Sequence, residues 1–204
     1  MGATTPPDLD PKATLQRYLT REREVLLARA EGLGEHDVRR PLTRTGTNLL
    51  GLVKHVASVQ VGYLHEAFGR THDLNLPWFA DDAEVNADMW ATADESREEI
   101  LELFRRSSAL CDATVAELEL DARGEVPWWP PERREITLFL ALVHVLDEVA
   151  HHAGHADIVR ELVDGAAGDD RGNLPALDDD EWTAYRERLE TSAVEAARRA
   201  GERP

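Results

Sequence analysis

The sequence predicts an all-α protein: a four-helix bundle with a long helix 2–helix 3 connection and an extra C-terminal helix. Three observations carry that expectation. Four long segments space their apolar residues near the helical period, strand signals such as hairpin dipeptides and alternating β-branched runs are absent, and one connection is far longer than the others.

The elements follow in order. Residues 1–11 contain Pro6, Pro7 and Pro11 and read as a flexible lead-in. From Lys12 the apolar set Leu15, Leu19, Leu26, Ala30 and Leu33 marks a first helix ending near Gly34. After a loop rich in Arg, Thr and Gly, Thr47 or Asn48 can cap a second helix reaching about Gly69. The connection THDLNLPWFADDAEVNADMW has little periodicity, and a loop of that length in a compact domain is usually functional or packed over something. Thr92 or Asp94 caps a third helix, with Ile100, Leu101, Phe104, Leu110, Val115 and Leu118 as its apolar face. Pro130 and Pro131 in GEVPWWPPERR cannot continue a helix, so this stretch is a short rigid link. The fourth helix runs from about Arg134 to Val163 and stops at Asp164-Gly165. Residues 12–165 are thus the bundle, and 166–204 are a linker plus a charged helix over Glu181 to Arg199.

Composition removes several function classes. No run of 18 apolar residues occurs and the first residues lack a signal-peptide pattern, so a cytoplasmic location is expected. The single cysteine, Cys111, excludes an internal disulfide, a cysteine-based zinc site and dithiol chemistry. With 23 basic against 40 acidic residues the net charge is −17, and Arg39-Arg40, Arg105-Arg106 and Arg133-Arg134 are scattered among acids. Such a field repels nucleic acid and anionic membranes.

The fourth helix carries the chemistry. At 100° per residue, His144, His151, His152 and His155 fall with Glu148 inside an arc of about 100°. Phe139, Val143, Leu146 and Ala150 lie opposite, which predicts a helix buried on most faces with its ionisable stripe turned into the bundle. Ionisable groups buried there need partners, and a metal is the partner that neutral imidazoles and a carboxylate accept together. Glu148 and His152, one turn apart, can reach one ion from a single helix. His55 on the second helix is the best third ligand: it shares a face with Asn48, Gly51, Ser58, Val59 and Gly62, small neighbours that leave a void beside it. Gly51, Ser58, Gly62 and Trp128 are accordingly the candidate cofactor-binding residues. Trp128-Trp129 either line a pocket near the stripe or pack over a bundle end. His36, His65 and His72 read as solvated, and Asp157 with Arg160 as a surface ion pair.

LLGLVKHVASV, HVLDEVAHHAGHADIVRE and VPWWPPERREITL together resemble the DinB superfamily, and more narrowly its mycothiol-dependent branch of thiol S-transferases and maleylpyruvate isomerases. The resemblance covers about residues 12–165. It implies a divalent metal, usually zinc with nickel or iron as alternatives, held by His55, Glu148 and His152. Much of the superfamily has histidines at both fourth-helix positions; Glu148 matches a His/Glu/His variant. His151 and His155 are also four apart, but the family motif places the ligand directly before Ala153-Gly154, which selects His152. The implied activity is thiol S-transfer, with a metal-coordinated thiolate attacking a small electrophile, and mycothiol as the external thiol. His144, His151 and His155 are then candidates for proton transfer or for orienting the ligands. Two other readings compete. One is a maleylpyruvate-type isomerase, set lower because no Arg or Lys lies on the stripe to bind two carboxylates. The other is a non-catalytic, stress-associated metal-binding module, which requires a fourth protein ligand such as His155 to close the site. A homodimer is expected only by analogy.

Overall fold

The computed structural model of the chain describes residues 10–80, 82–168, 172 and 174–203. The expected lead-in, apart from Asp10 and Pro11, and part of the expected linker lie outside those residues. The chain divides into two compact units, one ending at Gly168 and a smaller one holding the last helix.

The first unit contains α1 (Pro11–Ala30), α2 (Glu35–Arg39), α3 (Leu49–Leu64), α4 (Arg97–Glu117) and α5 (Leu138–Asp164). The four-helix core is α1, α3, α4 and α5. Asp10 opens α1 by accepting hydrogen bonds from the backbone of Lys12 and Ala13, and Pro11 occupies the first helical position, where its missing N–H costs nothing. Pro11 therefore starts a helix where the sequence suggested flexible chain. Asn48 caps α3 through Gly51 N, whereas α4 starts later than expected, with Ser96 and Glu99 forming a reciprocal capping box. The five-residue α2 is too short to carry a period.

α3 is the axis of the bundle. Thirteen of its 16 residues are buried, and it packs against α4 and α5 while α1 covers α5. Leu50, Val53, Ala57, Val61 and Leu64 meet Leu26, Phe104, Leu142 and Val149 in one continuous core. Two ion pairs tie the helices across this core: Arg23 to Asp112 at 2.7 Å and Arg29 to Asp157 at 2.6 Å.

Two expectations about the fourth long helix fail. Its first residues do not coil into the helix: Glu135–Thr137 pairs antiparallel with Arg123–Glu125 as a small β2–β1 hairpin, burying Ile136. Three-residue strands are too short to show alternation, so the hairpin left no sequence signal. Nor is α5 buried on most faces. Phe139 and Val143 are 49% and 39% exposed, and the buried side is Leu138, Ala141, Leu142, Val145, Val149, Ala153, Ala156 and Val159. Phe139, Val143 and Ala150 face solvent because α5 has neighbours on one side only, whereas Leu146 packs partly against the core and the stripe sits at the edge of the packed face.

The second unit contains α6 (Asp179–Ala200), opened by a capping box between Asp178 and Glu181, with no buried side chain. Among the described residues, no helix is long and apolar enough to cross a membrane. Phe104, 1% exposed at the centre of the core, sets a stability test. Phe104→Ala should cost about 3–5 kcal/mol, read as a lowered midpoint in urea unfolding followed by helical circular dichroism.

Candidate metal centre

His55 projects from the middle of α3 toward α5, where Glu148 and His152 stand one helical turn apart. Glu148 Oε1 lies 3.1 Å from His55 Nε2 and 3.1 Å from His152 Nε2. One ligand atom from each of the three residues lies within 4.8 Å of the others. The helix spacing explains why Glu148 and His152 meet; the packing of α3 on α5 brings His55 to them.

A fourth group completes the arrangement, and the sequence did not point to it. Asp88, in the connection between α3 and α4, sits 2.6 Å from His55 Nδ1. That bond fixes the imidazole's orientation and leaves Nε2 facing Glu148. Several other acids share the connection, so nothing in its sequence singles out Asp88.

The connection is held there by side chains from below. Lys54, 2% exposed, donates to the carbonyls of Ala87 at 2.8 Å and Trp90 at 2.9 Å, pairs with Glu95 at 2.7 Å, and lies 4.1 Å from the centre of the Trp78 ring. Asn48 Nδ2 donates to Met89 O at 3.2 Å, and Arg39 donates to the carbonyls of Thr92 and Glu95. Gly51 makes the approach feasible, since a Cβ there would collide with the Met89 carbonyl.

Electrostatics follow from this geometry. Burial of His55 opposes its charged form, but hydrogen bonds to Asp88 and Glu148 outweigh that and raise its pKa to about 9. Glu148, hydrogen-bonded by His152 and then His55, is held far below the usual carboxylate range. Asp88 is lowered by its hydrogen bond with His55. A carboxylate facing two imidazole nitrogens is satisfied either by their protons or by one cation between them. The two-nitrogen, one-oxygen donor set and the carboxylate behind His55 are those of histidine-rich zinc sites, so the residues fit the metal.

The rest of the stripe divides. His155 is exposed and its Nδ1 lies 3.4 Å from His152 Nδ1; His151 is exposed and meets His155 edge-on, with ring centroids 4.3 Å apart. Desolvation first, and then the neighbouring His151 and His152, lower the pKa of His155. His144 instead packs 4.4 Å from Tyr63 and 5.4 Å from Trp129 between ring centroids. Trp128 and Trp129 both donate to the Tyr63 hydroxyl, at 3.2 and 3.0 Å.

The row of small residues on α3 does not enclose a void. The Met89 carbonyl fills the space at Gly51, Ser58 accepts from Trp78 Nε1 at 2.9 Å, and the Trp128 ring covers Gly62, where a Cβ would stand 3.2 Å away. Of these, Gly62 and Trp128 touch the aromatic cluster beside the centre. A groove of about 740 Å³ lies elsewhere, between Leu74–Trp78 and the first turns of α4.

Other assignments also change. His65 is buried, 2.8 Å from Thr114 Oγ1, and the mostly buried His72 pairs with Glu66 at 3.0 Å, so neither is solvated. Asp157 and Arg160 do not pair with each other: Asp157 binds Arg29, while Arg160 binds Asp164 and the carbonyls of Arg29 and Glu31. Cys111 is buried, donates toward Gln60 O, and burial pushes its thiol up to about 12, which makes it a poor nucleophile.

The fold and the cluster together define a DinB-like four-helix bundle with a candidate His/Glu/His metal centre between its second and fourth long helices. The chain belongs to the mycothiol-S-transferase family, whose model matches residues 14–165. That membership supports an enzymatic role. A solved structure of a conserved protein from Enterococcus faecalis shares 18% identity, covering 75% of this chain and 96% of its own, with a TM-score of 0.51. At that identity the likeness is one of fold. No match was found among curated proteins.

Two expectations follow from the centre. In metal-free protein the ion pairs of His55 are fully present below its unfolded pKa of about 6.5 and are lost as pH rises through about 9. A divalent cation held there would compete with that proton, so zinc affinity should rise from pH 6 toward 9 with proton release on binding, measured by competition titration. Asp88→Asn should weaken zinc binding by about 10–100-fold in the same titration, with the helical signal unchanged.

Proposed function

We propose that this chain is a metal-dependent thiol S-transferase that uses an external low-molecular-weight thiol, mycothiol by family, against a small electrophile. The observation that carries the reading is the three-ligand cluster. Among the described residues, His55, Glu148 and His152 converge as one group of three, and Asp88 meets only the far ring nitrogen of His55. Three protein ligands with a free position suit catalysis, whereas a structural or stress module calls for a closed set of four.

His55, Glu148 and His152 would hold the ion, with zinc favoured by the donor set and Asp88 orienting His55. A divalent cation there lowers the pKa of a thiol from about 8.5 into the neutral range. The remaining work belongs to the chain. His155, exposed beside His152, takes the thiol proton, with His151 as the next acceptor outward. Tyr63, Trp128, Trp129 and His144 form an aromatic wall one turn before Glu148, suited to the apolar body of the electrophile. Sulfur then bonds to the electrophilic carbon. The leaving group departs with the bonding pair, or an epoxide oxygen opens and takes a proton.

The nucleophile is external because Cys111 is buried and its proton is tightly held. The net charge of −17 and the carboxylates around the site favour neutral or cationic electrophiles over a dicarboxylate. Lys54, next to His55 on α3, is already engaged by Glu95 and two carbonyls.

The test measures bound zinc and thiol consumption with a generic electrophile on the same preparations. His55→Ala and His152→Ala should each lose stoichiometric zinc and at least about 100-fold in kcat/KM, near 3 kcal/mol. Cys111→Ser should keep both. Activity that survives loss of the metal, or that disappears with Cys111→Ser in folded protein, would refute the reading.

A further inference from the structure

α6 has an apolar face, and none of its residues is buried. Trp182, Tyr185, Leu189, Ala193, Ala196 and Ala200 share an arc of about 80° at 100° per residue. None is buried, and Tyr185 and Leu189 are 40% and 52% exposed. Of the other sixteen residues ten are charged, with Thr183, Ala184, Thr191, Ser192, Val194 and Ala197 between them, so this is a seam of coiled-coil width.

Two gradients run along the seam. Side-chain size falls from Trp182, Tyr185 and Leu189 in the first half to three alanines in the second. Charge reverses as well, from Asp178, Asp179, Asp180 and Glu181 at the start to Arg198 and Arg199 in the last turn. A parallel pair of such helices would crowd the aromatic residues, leave the alanines apart and set acids against acids. An antiparallel pair centred near Thr191 places Trp182 opposite Ala200, Tyr185 opposite Ala196 and Leu189 opposite Ala193. It also sets each acidic end beside the partner's arginines, and it opposes the two helix dipoles.

We propose that α6 is a self-association element, through which two copies of this chain pair by antiparallel packing of their terminal helices. The helix of 22 residues spans about 33 Å, which places such an interface at the small end of specific ones. The dimer is therefore concentration-dependent, with dissociation in the micromolar range, and it weakens with salt.

Sedimentation velocity of the full chain across the micromolar range tests this. Wild type should show a monomer–dimer equilibrium shifted toward monomer by added salt. Leu189→Glu, at an exposed position that leaves the helix intact, should be monomeric throughout with unchanged circular dichroism. The double variants D179K/D180K and R198E/R199E, which spare the capping box, should be monomeric alone and dimerise when mixed. Orientation is read from disulfides: Tyr185→Cys chains should crosslink to Ala196→Cys chains faster than either does to itself. A monomeric wild type, a dimer that persists in Leu189→Glu, or charge variants that dimerise alone and gain nothing on mixing would overturn the pairing. Faster self-crosslinking would overturn its antiparallel sense.

Discussion

The first unit is organised around one imidazole held between two carboxylates. His55 lies in the most buried helix of the bundle, with Asp88 against one ring nitrogen and Glu148 against the other. Two negative charges brought that close in a half-buried place repel unless positive charge lies between them. A proton on His55 supplies it in the free chain, and a divalent cation between the ligands would supply it as well. The site's geometry and its pH response are two expressions of that balance.

That constraint explains why so much structure is invested in the connection between α3 and α4. A loop left to itself would hold an aspartate loosely, and a carboxylate orients a metal ligand only when it is itself held. Here the carbonyls of Ala87, Met89, Trp90, Thr92 and Glu95 are each taken by a donor from Arg39, Asn48 or Lys54. Asn86, with φ 61°, turns the chain in the left-handed region that asparagine tolerates. Gly51 admits the backbone against α3. The buried ammonium of Lys54 is offset by Glu95, two carbonyls and the face of Trp78, so its burial is compensated as well.

The other side of the centre is built differently. α5 gives its packed face to the core, presents Glu148 and His152 at the margin of that face, and leaves His151 and His155 toward solvent. One turn earlier, His144 joins Tyr63 and the two tryptophans, whose indole N–H groups converge on one hydroxyl. A single helix thus carries two members of the candidate metal centre, two exposed histidines and one member of an aromatic cluster. These are separated only by the 100° step between successive residues. The exposure of Phe139 and Val143 follows from the same economy, because α5 has packing partners on one side alone.

What the sequence determined by itself is what lies within one helix. The helical period, the Asn48 cap, the one-turn spacing of Glu148 and His152, and the charged terminal helix are consequences of local backbone geometry, readable without a partner. His55 was singled out as a candidate third ligand for its small neighbours on the same helix face, although the void expected beside them is filled by the Met89 carbonyl, Trp78 and Trp128. Which of the four stripe histidines turns inward, the choice of Asp88 among the acids of its connection, the burial of Lys54, His65 and His72, and the short hairpin before α5 were decided by the tertiary structure. Each depends on what a distant segment presents, and the distance in space between residues such as 55, 88 and 148 is set by how helices pack, which no spacing along the chain encodes.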